Sequence, residues 1–210
     1  MIRFYFVRHG ETLSNLWHTL QGCSDTPLTE NGIAQGKALG QGLAETPFLR
    51  IYTSTSERAY DTACLVRGDR SQDIIMCRGL KEMNFGMLET KPNTFPGCET
   101  YLQRLHYPWR DVGGENMEDV QQRMGRTMHT ILEEVKGMDG NLLCVSHGIA
   151  ILAALYSADR KIYEECLQNE IRFKNCSVTI IAVANGQYSV ECVNSLEYVT
   201  KGGYHEENHK

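Results

Sequence analysis

The chain has 210 residues, 41% apolar and 22% charged, the composition of a soluble globular protein of one domain. Its formal net charge of −5, with no block of Lys or Arg, argues against a nucleic-acid partner. A local cationic pocket for a small anion is compatible with that balance.

The eight Cys form no C-x-x-C pair and no zinc spacing with His. Cys64, Cys144, Cys176 and Cys192 sit in apolar runs, where a reduced thiol packs as a small hydrophobe. No stretch approaches the ~20 apolar residues of a membrane span. The apolar run after Arg3 is too short for a signal peptide. A cytoplasmic protein with free thiols is expected.

In chain order, Ile2 to Val7 reads as a buried strand. After a polar loop, Thr29 is the expected N-cap of a helix reaching about Glu45. Gly32, Gly36 and Gly40 share one face of it, a smooth stripe suited to close approach against a sheet. Leu49 to Thr53 is a second strand. Ser54 and Glu57 then fit a capping box, opening a helix through Arg58 to about Val66. Ile74 to Cys77 is a third strand. Pro92 to Gly114 reads as an insertion with a short helix near Tyr101–His106.

Asn116 and Asp119 begin a long helix whose apolar residues Met117, Val120, Met124, Met128 and Ile131 keep helical spacing up to Val135; Gly137 ends it. Asn141 to Val145 is a fourth strand and Gly148 to Tyr156 an apolar helix. Ser177–Ala184 and Gln187–Val193 are strands joined by the hairpin pair Asn185-Gly186.

Strands alternating with helices predict an α/β fold: a mostly parallel sheet covered on both faces, with the last hairpin as an antiparallel edge. The expected organisation is one domain over 1–210. Within it, 92–114 is a cap insertion and 201–210 a flexible tail.

Two segments carry the chemistry. The strand Phe4-Tyr5-Phe6-Val7 runs into Arg8-His9-Gly10, and Leu142-Leu143-Cys144-Val145 runs into Ser146-His147-Gly148. In open α/β sheets, ligands bind beyond the carboxyl ends of strands, so both His-Gly pairs point to the same edge. A glycine there lets the backbone turn sharply and approach a ligand. Arg58 lies in the first turn of its helix, where the N-terminus also favours an anion. Two arginines, two histidines and a helix terminus make a phosphate dianion the natural guest.

These residues resemble the histidine phosphatase superfamily, with its phosphoglycerate mutase-like fold. Arg8-His9-Gly10-Glu11-Thr12 resembles R-H-G-E-[ST]. Gln21-Gly22, Asp25 and Pro27-Leu28-Thr29 resemble Q-G-x-x-D-x-P-L-T. Ser54, Arg58-Ala59 and Thr62-Ala63 resemble S-x-x-x-R-A-x-x-T-A. Leu80-Lys81-Glu82 with Gly86 and Glu89 resembles the segment that carries the family's acid, and Ser146-His147-Gly148 the late S-H-G. Thr90 departs from the Gly that many members carry after that last Glu. The resemblance implies a three-layer α/β/α fold.

It also implies His9 as a nucleophile that forms a phosphohistidine. Arg8 and Arg58 should depress its pKa, and a backbone contact should orient its ring. Arg8, Arg58 and His147 would hold the phosphoryl oxygens, with Asn15 adding a neutral hydrogen bond. Gln21, Gly22 and Gly148 complete the expected substrate-binding set. Glu82 is the expected proton donor to the leaving group, whereas Glu11 and Glu89 are expected to be structural. Neither metal nor cofactor is expected.

Hydrolysis of a small phosphate monoester is the first reading, because Met83–Glu89 looks more like the phosphatase branch. A phosphoglycerate mutase-type transfer is the second, and a non-catalytic phosphate-binding member the third. A small phosphorylated metabolite is the expected partner in each. The 92–114 segment offers Phe95, Tyr101, His106, Tyr107, Trp109 and Arg110. They either cover a leaving group or pin the insertion to the body. Arg104 and Arg110 are candidates for contacting a second phosphate or carboxylate.

Overall fold

A computed structural model describes residues 1–205. The elements are β1 (Ile2–Arg8), α1 (Leu13–Leu16), α2 (Glu30–Gly42), β2 (Phe48–Thr53), α3 (Glu57–Arg67) and β3 (Ile74–Met76). They continue with α4 (Tyr101–His106), α5 (Met117–Glu134), β4 (Gly140–Ser146), α6 (Gly148–Ala158) and α7 (Arg160–Gln168). The hairpin β5 (Val178–Ala184) and β6 (Gln187–Ser195) and the short α8 (Glu197–Lys201) close the series.

The sheet order is β3-β2-β4-β1-β5-β6. β3, β2, β4 and β1 pair in parallel, and β5 and β6 add antiparallel strands beside β1. Side chains alternate across the sheet, as a strand demands. Phe4, Phe6, Leu142 and Cys144 enter one core with α5 and α6. Tyr5, Val7, Leu143 and Val145 enter the other with α2 and α3. The result is the expected α/β/α sandwich.

Local signals explain most boundaries. Thr29 accepts a hydrogen bond from Gly32 N at 2.9 Å, capping α2. Asn116 and Asp119 form a reciprocal capping box at α5. Asn185 and Gly186 both take positive φ, 52° and 76°, as a two-residue hairpin turn requires.

Four expectations need correction. The α3 capping box does not form: Ser56 is the N-cap, and the free N–H groups of Glu57 and Arg58 are met by the Asp25 carboxylate instead. Ser54 is left for another task. The glycine stripe of α2 does not face the sheet: a Cβ on Gly36 or Gly40 would strike Leu65 of α3 at 2.8 Å, and one on Gly32 would strike the Glu11 backbone. Helix α7 was not anticipated, although Asp159 caps it through Lys161 N and Ile162 N. The chain expected to be a free tail from Lys201 is packed as far as Tyr204, whose buried hydroxyl donates to Asn31 at 2.7 Å. Residues 206–210 of that tail lie outside the described residues. Among the described residues no helix is long and apolar enough to cross a membrane.

Candidate active site

β1 and β4 are neighbours in register, Arg8 opposite Ser146, so the next residue of each strand is a histidine at the same sheet edge. His9 N donates to Ser146 O at 3.1 Å. The two rings meet with centroids 5.2 Å apart at 60°.

His9 is buried, and its Nδ1 lies 2.7 Å from the carbonyl oxygen of its own neighbour Gly10. A carbonyl only accepts, so Nδ1 carries the proton and Nε2 keeps the lone pair. Burial, then Arg58 and Arg8, hold the His9 pKa well below its ordinary value. The predicted backbone contact is therefore present, and Gly10 supplies its carbonyl. Gly10 also serves packing: a Cβ there would come 2.6 Å from Gly32 O.

His147 is fully buried and differently bound. Its Nδ1 lies 3.0 Å from Arg58 Nη2, and its Nε2 2.8 Å from Ser54 Oγ. A guanidinium only donates, so Nδ1 accepts and the Nε2 hydrogen goes to Ser54. Burial, then Arg58 and His9, hold this imidazole neutral as well. Both ring nitrogens are thus committed to protein groups.

Arg58 is fully buried behind the histidines. Nη1 donates to Ser24 O and to Asp25 Oδ1 at 2.8 Å. Nη2 donates to Gly22 O at 3.1 Å and Gln21 O at 3.3 Å. Its Nε is buried without a partner. The loop 21–25 therefore wraps the guanidinium, and the α3 N-terminus expected to face an anion is taken by Asp25.

Arg8 borders the open cleft and anchors to Phe173 O. Glu82, 8% exposed, stands at the N-terminus of α6. Its carboxylate accepts from Met83 N, Ile149 N and Ala150 N at 3.0–3.1 Å. Burial nonetheless pushes its pKa up, against these hydrogen bonds and the Arg58 charge. Gly148, the first residue of α6, lines the cleft; its position leaves the N–H without an intrahelical acceptor.

Asn15 Oδ1 accepts from Thr12 N at 3.0 Å and Asn175 Nδ2 at 3.2 Å, so its amide nitrogen is left for the cleft it lines. Gln21 lines the cleft too, but its amide is spent on Thr12 and Thr26 hydroxyls. Gly22 does not line it. A Cβ there would collide with Met83 O at 2.0 Å, so Gly22 is a packing residue that lends Arg58 a carbonyl.

Glu11 and Glu89 are structural, as expected. Glu11 accepts from Thr29 Oγ1, and Glu89 gathers Gly22 N, Cys23 N, Ser24 N and Phe85 N under the 21–25 loop. Burial raises the Glu89 carboxyl, but the Ser24 and backbone donors outweigh it and hold the pKa below its ordinary value. Thr90 takes φ of 68°, the left-handed region where Gly is at ease and a β-branched residue is strained.

The cleft holds about 290 Å³. In the insertion, Trp109 is fully buried against Phe85, with centroids 4.8 Å apart, and Tyr107 meets Trp109 at a tilt and Phe95 edge-on. These aromatics pin the segment to the body. Arg110 points elsewhere, to Asp119 at 2.6 Å. Tyr101 and Arg104 do line the cleft.

The sequence reading missed Asn175 and Arg172, which also line it, Asn175 beside Asn15 and Arg172 over the ring of Tyr101. The signal was the hairpin. β5 runs antiparallel to β1, so the residues just before β5 must lie beside the end of β1. Among the described residues, no group of three or more His, Cys, Asp or Glu is placed to hold a metal ion.

With this geometry in place, comparison with known proteins decides the family. The sequence profile of the histidine phosphatase superfamily, branch 1, matches residues 4–196. The chain belongs to that superfamily. Its members are phosphoryl-transfer enzymes. A probable phosphoglycerate mutase, GpmB, of Yersinia pestis (strain Pestoides F) is 32% identical over 184 residues, covering 85% of this chain and 84% of the relative. A phosphoglycerate mutase structure from Bacillus anthracis superposes with a TM-score of 0.85 at 29% identity, covering 97% of both chains. A mycobacterial glucosyl-3-phosphoglycerate phosphatase in complex with VO3 superposes with a TM-score of 0.78 at 25% identity, covering 92% and 98%. Mutases and phosphatases thus both stand among the superfamily members it is similar to.

Proposed function

We propose that this histidine phosphatase superfamily member hydrolyses small phosphate monoesters through a phosphohistidine on His9, with Glu82 as proton donor. The carrying observation is the neutral His9 ring, its Nδ1 tied to Gly10 O and its Nε2 free, in the same cleft as Arg8 and Glu82.

The ester dianion sits between Arg8, the Gly148 N–H and the Asn15 amide, with the Arg58 charge and its unpartnered Nε behind. His9 Nε2 attacks phosphorus as the ester P–O bond breaks. The leaving oxygen takes the proton of Glu82. Water then attacks the phosphohistidine and gives its proton back to Glu82, releasing phosphate and neutral His9. His147 is a positioning residue, a neutral acceptor that aims Arg58. The 92–114 segment is the cap over the leaving group.

Incubation with an alkyl phosphate and with p-nitrophenyl phosphate should release inorganic phosphate. The enzyme should carry an acid-labile, alkali-stable phosphoryl label during turnover. Vanadate should inhibit, and a chelator should not. Absence of label together with intact phosphate binding would favour the non-catalytic reading. The mutase reading has the named relatives in its favour, and isomerisation of phosphoglycerate without phosphate release would establish it over hydrolysis.

A further inference from the structure

Glu82 sits on no strand and no long helix. Its segment runs between two single 3₁₀ turns, Arg78–Leu80 and Gly86–Leu88. Without a ladder, the backbone groups there must find partners elsewhere. The carbonyls of four consecutive residues, Gly79 to Glu82, find them in two side chains. Ser146 Oγ donates to Leu80 O at 2.7 Å. Arg123, on α5, takes the others. Its Nη1 donates to Gly79 O at 2.9 Å and to Lys81 O at 2.7 Å, and its Nη2 to Glu82 O at 3.2 Å.

The rest of the guanidinium meets Glu115, from Nε at 3.0 Å and from Nη2 at 2.9 Å. All five N–H groups of Arg123 are thus engaged, in the planar fork that a lysine lacks. Glu115 pins the other side of the acid. Its Oε2 accepts from Asn84 N at 3.0 Å, and its own N–H donates to Asn84 O at 2.8 Å. The two segments touch closely here, since a Cβ on Gly114 would come 2.5 Å from Asn84 O. The ion pair also neutralises the guanidinium, so the clamp adds no net charge behind a carboxyl that must hold a proton.

We propose that Arg123, paired with Glu115, is the positioning residue for the proton donor. It fixes the backbone from 79 to 84 so that the Glu82 carboxyl reaches Ile149 N and Ala150 N and still borders the cleft. Helices α5 and α6 share one core, so the acid is held from two fixed points. Arg123 does not line the cleft and acts only through Glu82. The inference rests on the hydrolytic reading above for what Glu82 does, and adds what holds it there.

Arg123→Met removes all the donors. kcat for an alkyl phosphate should fall about a hundredfold, the cost of a misplacement of about 1 Å, with KM little changed. p-Nitrophenyl phosphate, whose leaving group needs no proton, should lose less than about threefold. Arg123→Lys keeps a cation opposite Glu115 but has fewer donors, and should fall between the two proteins. In a Glu82→Gln background, Arg123→Met should add less than about threefold on the alkyl ester, because the group it positions is gone. Should Arg123→Met fail to fold, Arg123→Lys carries the same comparisons.

Amide hydrogen exchange reads the placement without turnover. The Ile149 and Ala150 N–H groups should lose protection by about tenfold or more in the arginine variant, while Val7 and Val145 in the central strands keep theirs. Unchanged exchange at both amides overturns the positioning role. So do equal losses on both esters in the arginine variants beside a selective Glu82→Gln. Lost protection at those amides, with no phosphate released by the unsubstituted protein, keeps the clamp and overturns the hydrolytic reading.

Discussion

The two His-Gly corners repeat one pattern, an apolar parallel strand, a histidine and a glycine, yet their surroundings give them opposite properties. At the end of β1, the His9 ring makes one bond, to the carbonyl of the next residue, and keeps a nitrogen free. At the end of β4, His147 spends both nitrogens, on Ser54 and Arg58, and has no exposed surface. The glycines differ as well. Gly10 is crowded by the Gly32 carbonyl at 2.6 Å, whereas a Cβ on Gly148 would meet nothing closer than 3.9 Å. A motif therefore delivers an imidazole to the sheet edge, and the partners from other elements decide whether it reacts or positions.

The largest expected effect breaks the pair apart. His9→Ala should lower phosphate release by at least about a thousandfold and abolish the phosphoryl label. His147→Gln should slow turnover by about a hundredfold yet still allow labelling, because it disturbs only the aim of Arg58. Circular dichroism should report both variants as folded. A labelled His9→Ala protein would invert the comparison.

Glu82 joins the two corners, since it borders the cleft with His9 and accepts from the helix that follows His147. Glu82→Gln should cost about 10²–10⁴-fold on alkyl esters and far less on p-nitrophenyl phosphate, whose leaving group needs no proton. The pH dependence follows from the shifts. Glu82 acts while protonated and its pKa is raised, so alkyl-ester hydrolysis should fall as pH rises through that raised value. His9 acts while neutral and its pKa is depressed, so the acid limb should lie well below the ordinary histidine range. Loss of the alkaline limb in Glu82→Gln would tie it to the carboxyl. Equal losses on both substrates would remove Glu82 as the acid.

The strands and the edge they share were legible because β1 and β4 are continuous apolar runs, as a strand covered on both faces must be. What lay beyond reading was the pairing of distant polar groups. Ser54 and Glu57 have the spacing of a capping box, but Ser54 is drawn to His147 and the cap falls to Asp25, a competition that no local pattern encodes. Gly22 matched a family motif and was read as a ligand contact, while its crowding against Met83 O gives it a packing role. Thr90 stands where many members carry Gly, and the chain takes positive φ there with a strained residue. Helix α7 was readable in principle, since Asp159 precedes Ile162, Tyr163 and Cys166 at helical spacing.

Ser54→Ala sharpens the contrast at the second corner. The variant strands the Nε2 hydrogen of a fully buried His147, a loss of about 1–3 kcal/mol in unfolding free energy. Denaturant unfolding at neutral pH measures it. The freed ring should also flip more readily, loosening Arg58 and raising KM for phosphate esters. Unchanged stability and KM would mean that another group orients His147.

The smallest effect lies at one of the two glycines, Gly148, and its difference from Gly10 matters more than either size. Gly10 and Gly148 both keep φ outside the left-handed region, so alanine is not excluded by backbone conformation at either place. At Gly10 the added methyl meets a backbone carbonyl at the start of α2, which yields only if the helix moves; overpacking of this kind costs about 1–3 kcal/mol. At Gly148 the methyl makes ordinary contacts with Arg8 Nε and Glu82 Oε2, and alanine favours a helix over glycine, so stability should change by under about 1 kcal/mol. Thermal melts of the two variants should therefore separate, with Gly10→Ala the lower. Coincident melts would show that α2 can withdraw from the first corner, and that its crowding is not what fixes the carbonyl holding His9.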